Sequence, residues 1–228
     1  MRPLTDTLPK CLVPIRGTPL LAIWLQLLET AGVSEALVTV RHEHERVEDF
    51  LQACRTSVGV RVIHEPRPLG SAGAVVASRD HLARGGDFLI LYADVLTNVD
   101  LRRMIGFHAQ HSSALTLGVT VTDRPTEKGT VVTAPDGRVL AFDEKAAEPR
   151  SNLANAGIYV ARQALFRYLP AALPDGSLDF GYHVLPGMVP DVMAYRIEEF
   201  LLDIGTMEAY QRAQADWPGP GTLGPSAS

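Results

Sequence analysis

The run Phe88-Leu-Ile-Leu-Tyr92, apolar at every position and followed at once by Ala93-Asp94, constrains this chain more than any other stretch. A strand with no polar alternate positions has no face to offer water, so it is expected inside a sheet covered on both sides. Asp94 then stands at the carboxyl edge of that sheet, where open α/β proteins bind their ligands.

The surrounding pattern supports the same architecture. Thr18-Pro19 opens, and Gly32 stops, a helix with Leu20, Leu21, Ile23, Trp24, Leu27, Leu28 and Ala31 on one broad apolar face. Strands are expected at 36–40 and 60–63, helices at 43–54, 71–83 and about 101–111. Strand-like runs follow at 115–121, 129–132 and 138–142, the last two joined by the turn Pro135-Asp-Gly137. A strand at 157–160, a helix opening over 178–185 and a last helix over 207–215 complete the domain, and residues 216–228 have the composition of a disordered tail. Strands alternating with helices imply a three-layer α/β domain over residues 1–215, with a mixed sheet.

With 46% hydrophobic and 21% charged residues in 228, one soluble core is the expectation. The net charge of -5 argues against a partner held by phosphate neutralisation along a nucleic acid. No apolar run approaches the roughly 18 residues of a membrane span and no signal-peptide core stands at the N-terminus, so a cytoplasmic protein with no membrane partner is expected. Cys11 and Cys54 have neither metal-site nor disulfide-scaffold spacing and read as reduced thiols. Lys10, Lys128 and Lys145 are the only lysines, which makes each a candidate for a specific task.

Asp94 reads either as a ligand group or as a turn former ahead of the helix start Thr97-Asn-Val-Asp100. Asp203 repeats the arrangement, an apolar run before it and a Gly-Thr helix entry after it, and two such carboxylates suit Mg²⁺ shared with substrate phosphates. Gly70-Ser71-Ala72-Gly73 permits close backbone approach and could aim amides at an anion or a base edge, or serve tight helix packing. Glu144-Lys145 closes a strand with an acid and a base, otherwise readable as a solvated pair. Asn155 and Gly157 lie in an amide-rich turn, where Asn155 could reach a sugar hydroxyl. His42, His44, His108 and His111 read as surface histidines for want of a further ligand at metal spacing.

In order and spacing, Arg2-Pro-Leu-Thr5, Pro9-Lys10, Gly70-Ser-Ala-Gly73, Asp94-Val-Leu-Thr, Glu144-Lys145, Asn155-Ala-Gly157 and Asp203-Ile-Gly-Thr206 resemble the sugar-phosphate nucleotidyltransferases. Within that family the chain is most similar to the short mannose-1-phosphate guanylyltransferase type. The resemblance implies a Rossmann-like α/β/α nucleotidyltransferase fold with a mixed, mainly parallel sheet. It also implies condensation of a nucleoside triphosphate with a hexose 1-phosphate, GTP and mannose 1-phosphate by likeness, with release of pyrophosphate. By resemblance Asp94 and Asp203 hold Mg²⁺, Lys10 contacts the nucleotide phosphates and Lys145 the sugar phosphate. Gly70, Ser71, Ala72 and Gly73 border the nucleoside, while Glu144, Asn155 and Gly157 read the sugar. Small-molecule substrates are the implied partners, and a homo-oligomer is left open. Met1 falls where the family's Gly-rich loop and its Arg have already passed. The expected fold therefore lacks a first strand, and the alternative reading is a catalytically inactive relative that binds nucleotide sugars.

Overall fold

A computed structural model of the protein describes residues 1, 4–6, 8–41 and 43–221, without the side chain of Asp6. Arg2, Pro3, His42 and the tail from residue 222 onward lie outside the described residues. In chain order the elements are β1 (Pro14–Ile15), β2 (Thr18–Pro19), α1 (Leu20–Thr30), β3 (Glu35–Val40), α2 (His44–Ala53), β4 (Gly59–His64), α3 (Ser71–Ala77), α4 (Arg79–Leu82), β5 (Phe88–Leu91) and β6 (Val95–Thr97). They continue with α5 (Leu101–Ala109), β7 (Leu115–Val121), β8 (Gly129–Thr133), β9 (Val139–Glu144), β10 (Leu153–Ala161), α6 (Leu185–Met188), β11 (Val192–Arg196), β12 (Leu201–Asp203) and α7 (Met207–Asp216).

The chain packs as two compact units. The first comprises the described residues within Met1–Pro66, Ala93–Arg102 and Glu198–Ser228. Its α1 buries Leu20, Leu21, Ile23, Trp24, Leu25, Leu27 and Leu28, and Gly32, at φ +79°, supplies the left-handed residue that ends it. Thr18 does not cap this helix: with Pro19 it pairs in a short hairpin to Pro14 and Ile15, turned by Arg16 and Gly17 at φ 47° and 85°. Strands β3 and β4 run parallel with Val40 opposite His64, joined through α2, and β12 runs antiparallel to β6. Helix α7 is capped by Thr206, whose side chain accepts from the Ala209 amide, and it is tied to Pro14 through Tyr210 and Gln214. Trp217, which the sequence pattern assigns to the tail, is buried against Phe200, so ordered packing continues past residue 216.

The second unit, residues 67–92 and 103–197, is built on a sheet in the order β11-β7-β10-β8-β9, with β5 also pairing β10. The sheet is mixed: β11 runs parallel to β7, while β10 is antiparallel to β5, β7 and β8, and β8 to β9. The strands covered on both sides are β7 and β10, where the consecutive residues Leu115, Thr116 and Leu117, and Ile158, Tyr159, Val160 and Ala161, are at most 2% exposed. Burying each of the leucine, isoleucine and valine side chains among them contributes about 1.5–3 kcal/mol. Strand β5, expected in that position from its apolar run, is only half-buried, because β10 is its one pairing partner among the described residues.

Other departures have local causes. The helix expected over 71–83 breaks at Ser78, whose hydroxyl bonds back to the Ala74 carbonyl. Strand β10 begins at Leu153 rather than 157 because the Asn155-Ala-Gly157 stretch is a bulge within it and not a turn before it. The helix opening over 178–185 is a wide π-type turn, Phe180–Val184, that runs into α6. His108, expected on the surface, is buried: its Nδ1 meets the Thr116 hydroxyl at 2.7 Å and its Nε2 the Arg162 guanidinium at 3.0 Å. Burial and that guanidinium lower its pKa to about 4, so it is neutral, with Nε2 accepting and Nδ1 donating.

Candidate active site

In the first unit, Lys10 pairs with Asp94, and backbone pairing sets the segment of Asp203 beside that of Asp94. Lys10 opens a single helical turn whose buried neighbours, Leu12 and Val13, fix its backbone. Its Nζ lies 2.5 Å from Asp94 Oδ2, and both side chains stay about one-third exposed. Asp94 immediately precedes β6, and Asp203 ends β12 in register with Val95, so the two acids occupy neighbouring positions of one antiparallel pair. The Asp94 carbonyl accepts from the Ile204 amide at 2.8 Å, which locks the two chain segments past the end of the ladder. Gly205 leaves room for the Asp203 carboxylate, since a Cβ there would stand 3.0 Å from its Oδ1.

Two carboxylates on neighbouring segments, one of them paired to an ammonium that can take a phosphate in place of a carboxylate, are donors of the type that suits a hard divalent cation.

In the second unit the expected residues are held differently. Gly70 is irreplaceable where it stands, at φ +78° with any Cβ forced to 2.4 Å from the Leu178 carbonyl oxygen. The Ala72 and Gly73 amides donate to that same oxygen at 3.0 Å each, so they are committed to chain packing and do not point at an anion. The Ser71 hydroxyl donates to Asp179 at 2.8 Å and accepts from the Phe180 amide at 2.9 Å.

Glu144, at the end of β9, holds its carboxylate between Gly129 and Gly181, whose added Cβ atoms would lie 2.4 and 2.3 Å from Oε2. Burial raises its pKa above the ordinary range, Asp179 raises it further, and Lys145 opposes both. Lys145 adopts a left-handed φ of 47°, bonds its amide to the Lys128 carbonyl, and carries its ammonium 5.9 Å from the centre of the Tyr182 ring.

Asn155 and Gly157 form the β10 bulge: the Asn155 Oδ1 accepts from the Gly157 amide at 2.9 Å and its Nδ2 donates to the Tyr159 hydroxyl at 2.8 Å. Gly157, at φ +70°, lets the Tyr92 ring lie where a Cβ would be 2.8 Å away. The hydroxyls of Tyr159 and Tyr92 are 3.3 Å apart, and burial raises the pKa of both phenols. Tyr92, Tyr159, Asp179, Gly129 and Gly181 thus belong to this site and were not singled out from the sequence. The one available signal was Tyr92 itself, a polar tip closing an apolar strand.

Two charged clusters stand at strand ends of this α/β protein, one an acid paired with an ammonium and the other a partly buried carboxylate beside a lysine. The comparisons carry this further: residues 1–218 match the Nucleotidyl transferase family, and the chain belongs to it. It is 33% identical over 211 residues to a mannose-1-phosphate guanylyltransferase catalytic subunit beta from Danio rerio, covering 90% of this chain and 58% of that protein. The chain therefore spans somewhat under two thirds of the length of the curated relatives it matches. Its fold is also that of a UDP-glucose pyrophosphorylase complexed with UDP-glucose (TM-score 0.83, 17% identity, 95% of this chain and 93% of that one). A putative glucose-1-phosphate thymidylyltransferase from Bacillus anthracis, in complex with a sucrose, superposes with a TM-score of 0.82 at 20% identity over 94% of this chain and 89% of that one.

Proposed function

We propose that the protein condenses a nucleoside triphosphate with a hexose 1-phosphate, GTP and mannose 1-phosphate being the pair to which its relatives' names point. A phosphate oxygen of the sugar 1-phosphate attacks the α-phosphorus of the triphosphate, the bond to the bridging oxygen breaks, and pyrophosphate leaves. Positioning and charge neutralisation are the protein's part in such a transfer.

The observation that carries this reading is the Asp94–Asp203 pair beside the Lys10 ammonium. Asp94 and Asp203 would hold a divalent cation, Mg²⁺ by its preference for carboxylate and phosphate oxygens, which supplies neutralisation of the triphosphate charge when bound. Lys10, released from Asp94, would bind nucleotide phosphates. Lys145 would bind the sugar phosphate. Glu144, raised in pKa but partnered by Lys145, would accept from sugar hydroxyls, with Asn155 and Gly157 beside the tyrosine pair shaping that pocket. Gly70, Ser71, Ala72 and Gly73 would serve the nucleoside by shape, since two of their amides are already committed.

The test is pyrophosphate release by the full chain with GTP, Mg²⁺ and mannose 1-phosphate, repeated with other triphosphates and hexose 1-phosphates. Release that depends on the sugar phosphate supports the proposal. Triphosphate hydrolysis indifferent to sugar phosphate, or calorimetric binding with no turnover under any pairing, overturns it.

A further inference from the structure

A third charged cluster, built from residues not discussed above, needs no part of the proposed reaction. His44 stands in the first turn of α2, Glu48 one turn further along the same helix face, and His64 ends β4. The parallel register sets His64 opposite Val40, the last residue of β3, so the short link from β3 into α2 returns the helix start to the end of β4. One ligand atom from each of the three side chains lies within 4.8 Å of the others.

The hydrogen-bond pattern among them is incomplete. His64 Nε2 meets Glu48 Oε1 at 2.9 Å, which accounts for one ring. His44 Nδ1 is closed off from water and makes no hydrogen bond among the described residues; the same Glu48 oxygen is 3.7 Å away, beyond hydrogen-bond reach. The two rings meet edge to face, centroids 4.7 Å apart. A shielded nitrogen without a partner costs about 1–3 kcal/mol. A lone pair from that nitrogen, together with the other two donors, finds a natural partner in a cation.

We propose that His44, Glu48 and His64 form a site for a divalent transition metal of the Zn²⁺ class, tying the start of α2 to the end of β4. Two imidazoles and one carboxylate are a nitrogen-rich donor set, which suits Zn²⁺, Co²⁺ or Ni²⁺ and not Mg²⁺ or Ca²⁺. A tetrahedral ion with bonds of about 2.0–2.1 Å holds its ligands about 3.3 Å apart. The observed separations of 2.9 and 3.7 Å bracket that spacing, and small rotations of the half-exposed rings close the third edge. Water takes the fourth position. The site differs in metal preference from the carboxylate pair of Asp94 and Asp203, so each can be read in the presence of the other.

The experiment titrates Co²⁺, then Zn²⁺, into metal-free full-length protein in excess Mg²⁺, reading the visible bands of four-coordinate cobalt, calorimetric stoichiometry and Tm. One equivalent of Co²⁺ with nitrogen–oxygen bands, displaced by Zn²⁺, is expected, together with a rise in Tm. His64→Ala and the near-isosteric Glu48→Gln should each weaken binding about tenfold or more, with circular dichroism checking that both remain folded. Binding of equal strength in the wild type and both variants overturns the proposal. So does a thiolate charge-transfer band, which would move the ion to Cys11 or Cys54, or no binding at all, which would leave the cluster an ion pair.

Discussion

Asp94 and Glu144 are both carboxylates at strand ends, yet their surroundings have little in common. Asp94 is open to water, contacts the Lys10 ammonium, and is set in place by backbone pairing between β6 and β12. Glu144 lies between two glycines, and burial lifts its pKa. The first group can exchange its partner for a ligand at little structural cost, because an exposed ion pair contributes only about 0–1 kcal/mol. The second is pre-shaped and stands two residues after Phe142, which shares a buried cluster with Tyr159 and Phe180 against which Tyr92 packs. Substitutions in the first cluster should therefore separate activity from stability, and those that disturb the packing of the second should couple them.

The largest effect is expected at the acids of the first unit. Asp203→Asn and Asp94→Asn should each lower kcat for pyrophosphate release by about 10²–10³-fold, the size of losing one electrostatic stabiliser of the transferred group. Thermal unfolding should move by only a degree or two. Steady-state kinetics beside a melting curve checks both, and a Tm loss as large as the activity loss would erase the distinction drawn between the clusters.

Gly157→Ala is the opposite case. The left-handed φ of +70° and the Tyr92 ring 2.8 Å from the new Cβ should together cost about 2–4 kcal/mol in urea unfolding, with activity falling in step. Gly17→Ala in the first unit, at φ +85° with nothing within 4 Å, should cost only about 1 kcal/mol. Equal losses at the two positions would mean that conformation alone, and not the close approach of Tyr92, decides the first.

Glu144→Gln separates charge from packing in the second cluster. A carboxylate whose folded pKa exceeds its unfolded one binds protons more readily in the native state, so its contribution weakens stability as pH rises through that interval. The amide removes this penalty: at neutral pH the variant should be as stable as the wild type or more so, while its KM for the sugar phosphate rises about tenfold or more. Unfolding at pH 4 and pH 7 distinguishes this from a merely disruptive change, which would destabilise at both.

Much of this was legible in the sequence, and what was missed has a physical pattern. Asp94 and Asp203 could be read because short-range order marks them: an apolar run, an acid, then a helix entry. The pairing of their strands could not be, since β6 and β12 are three residues each and separated by most of the second unit in sequence. Asn155 and Gly157 were identified by residue type but placed in a turn, because a bulge inside a strand uses the same residues. The shared cradle of Gly129 and Gly181 has no local signature, as each glycine is explained only by a carboxylate from elsewhere in the chain. Strand β5 misled in the reverse direction: its composition describes a covered strand, and burial on both sides belongs to β7 and β10.

His108 belongs to the second unit but to neither cluster. Its folded pKa, lowered to about 4 by burial and the Arg162 guanidinium, lies below the ordinary histidine value of 6.5. Between those two values the unfolded chain binds the proton and the folded one does not, so stability is fully present above pH 6.5 and is lost as pH falls toward 4. Urea unfolding at pH 7, 5.5 and 4.5 should show this decline. His108→Asn, less stable throughout because it breaks the bonds to Thr116 and Arg162, should show a shallower one. An unchanged slope would assign acid sensitivity to other groups, and the obvious remaining candidate is His111, whose pKa burial and Arg162 also lower and whose Nε2 shares the Thr116 hydroxyl at 2.9 Å.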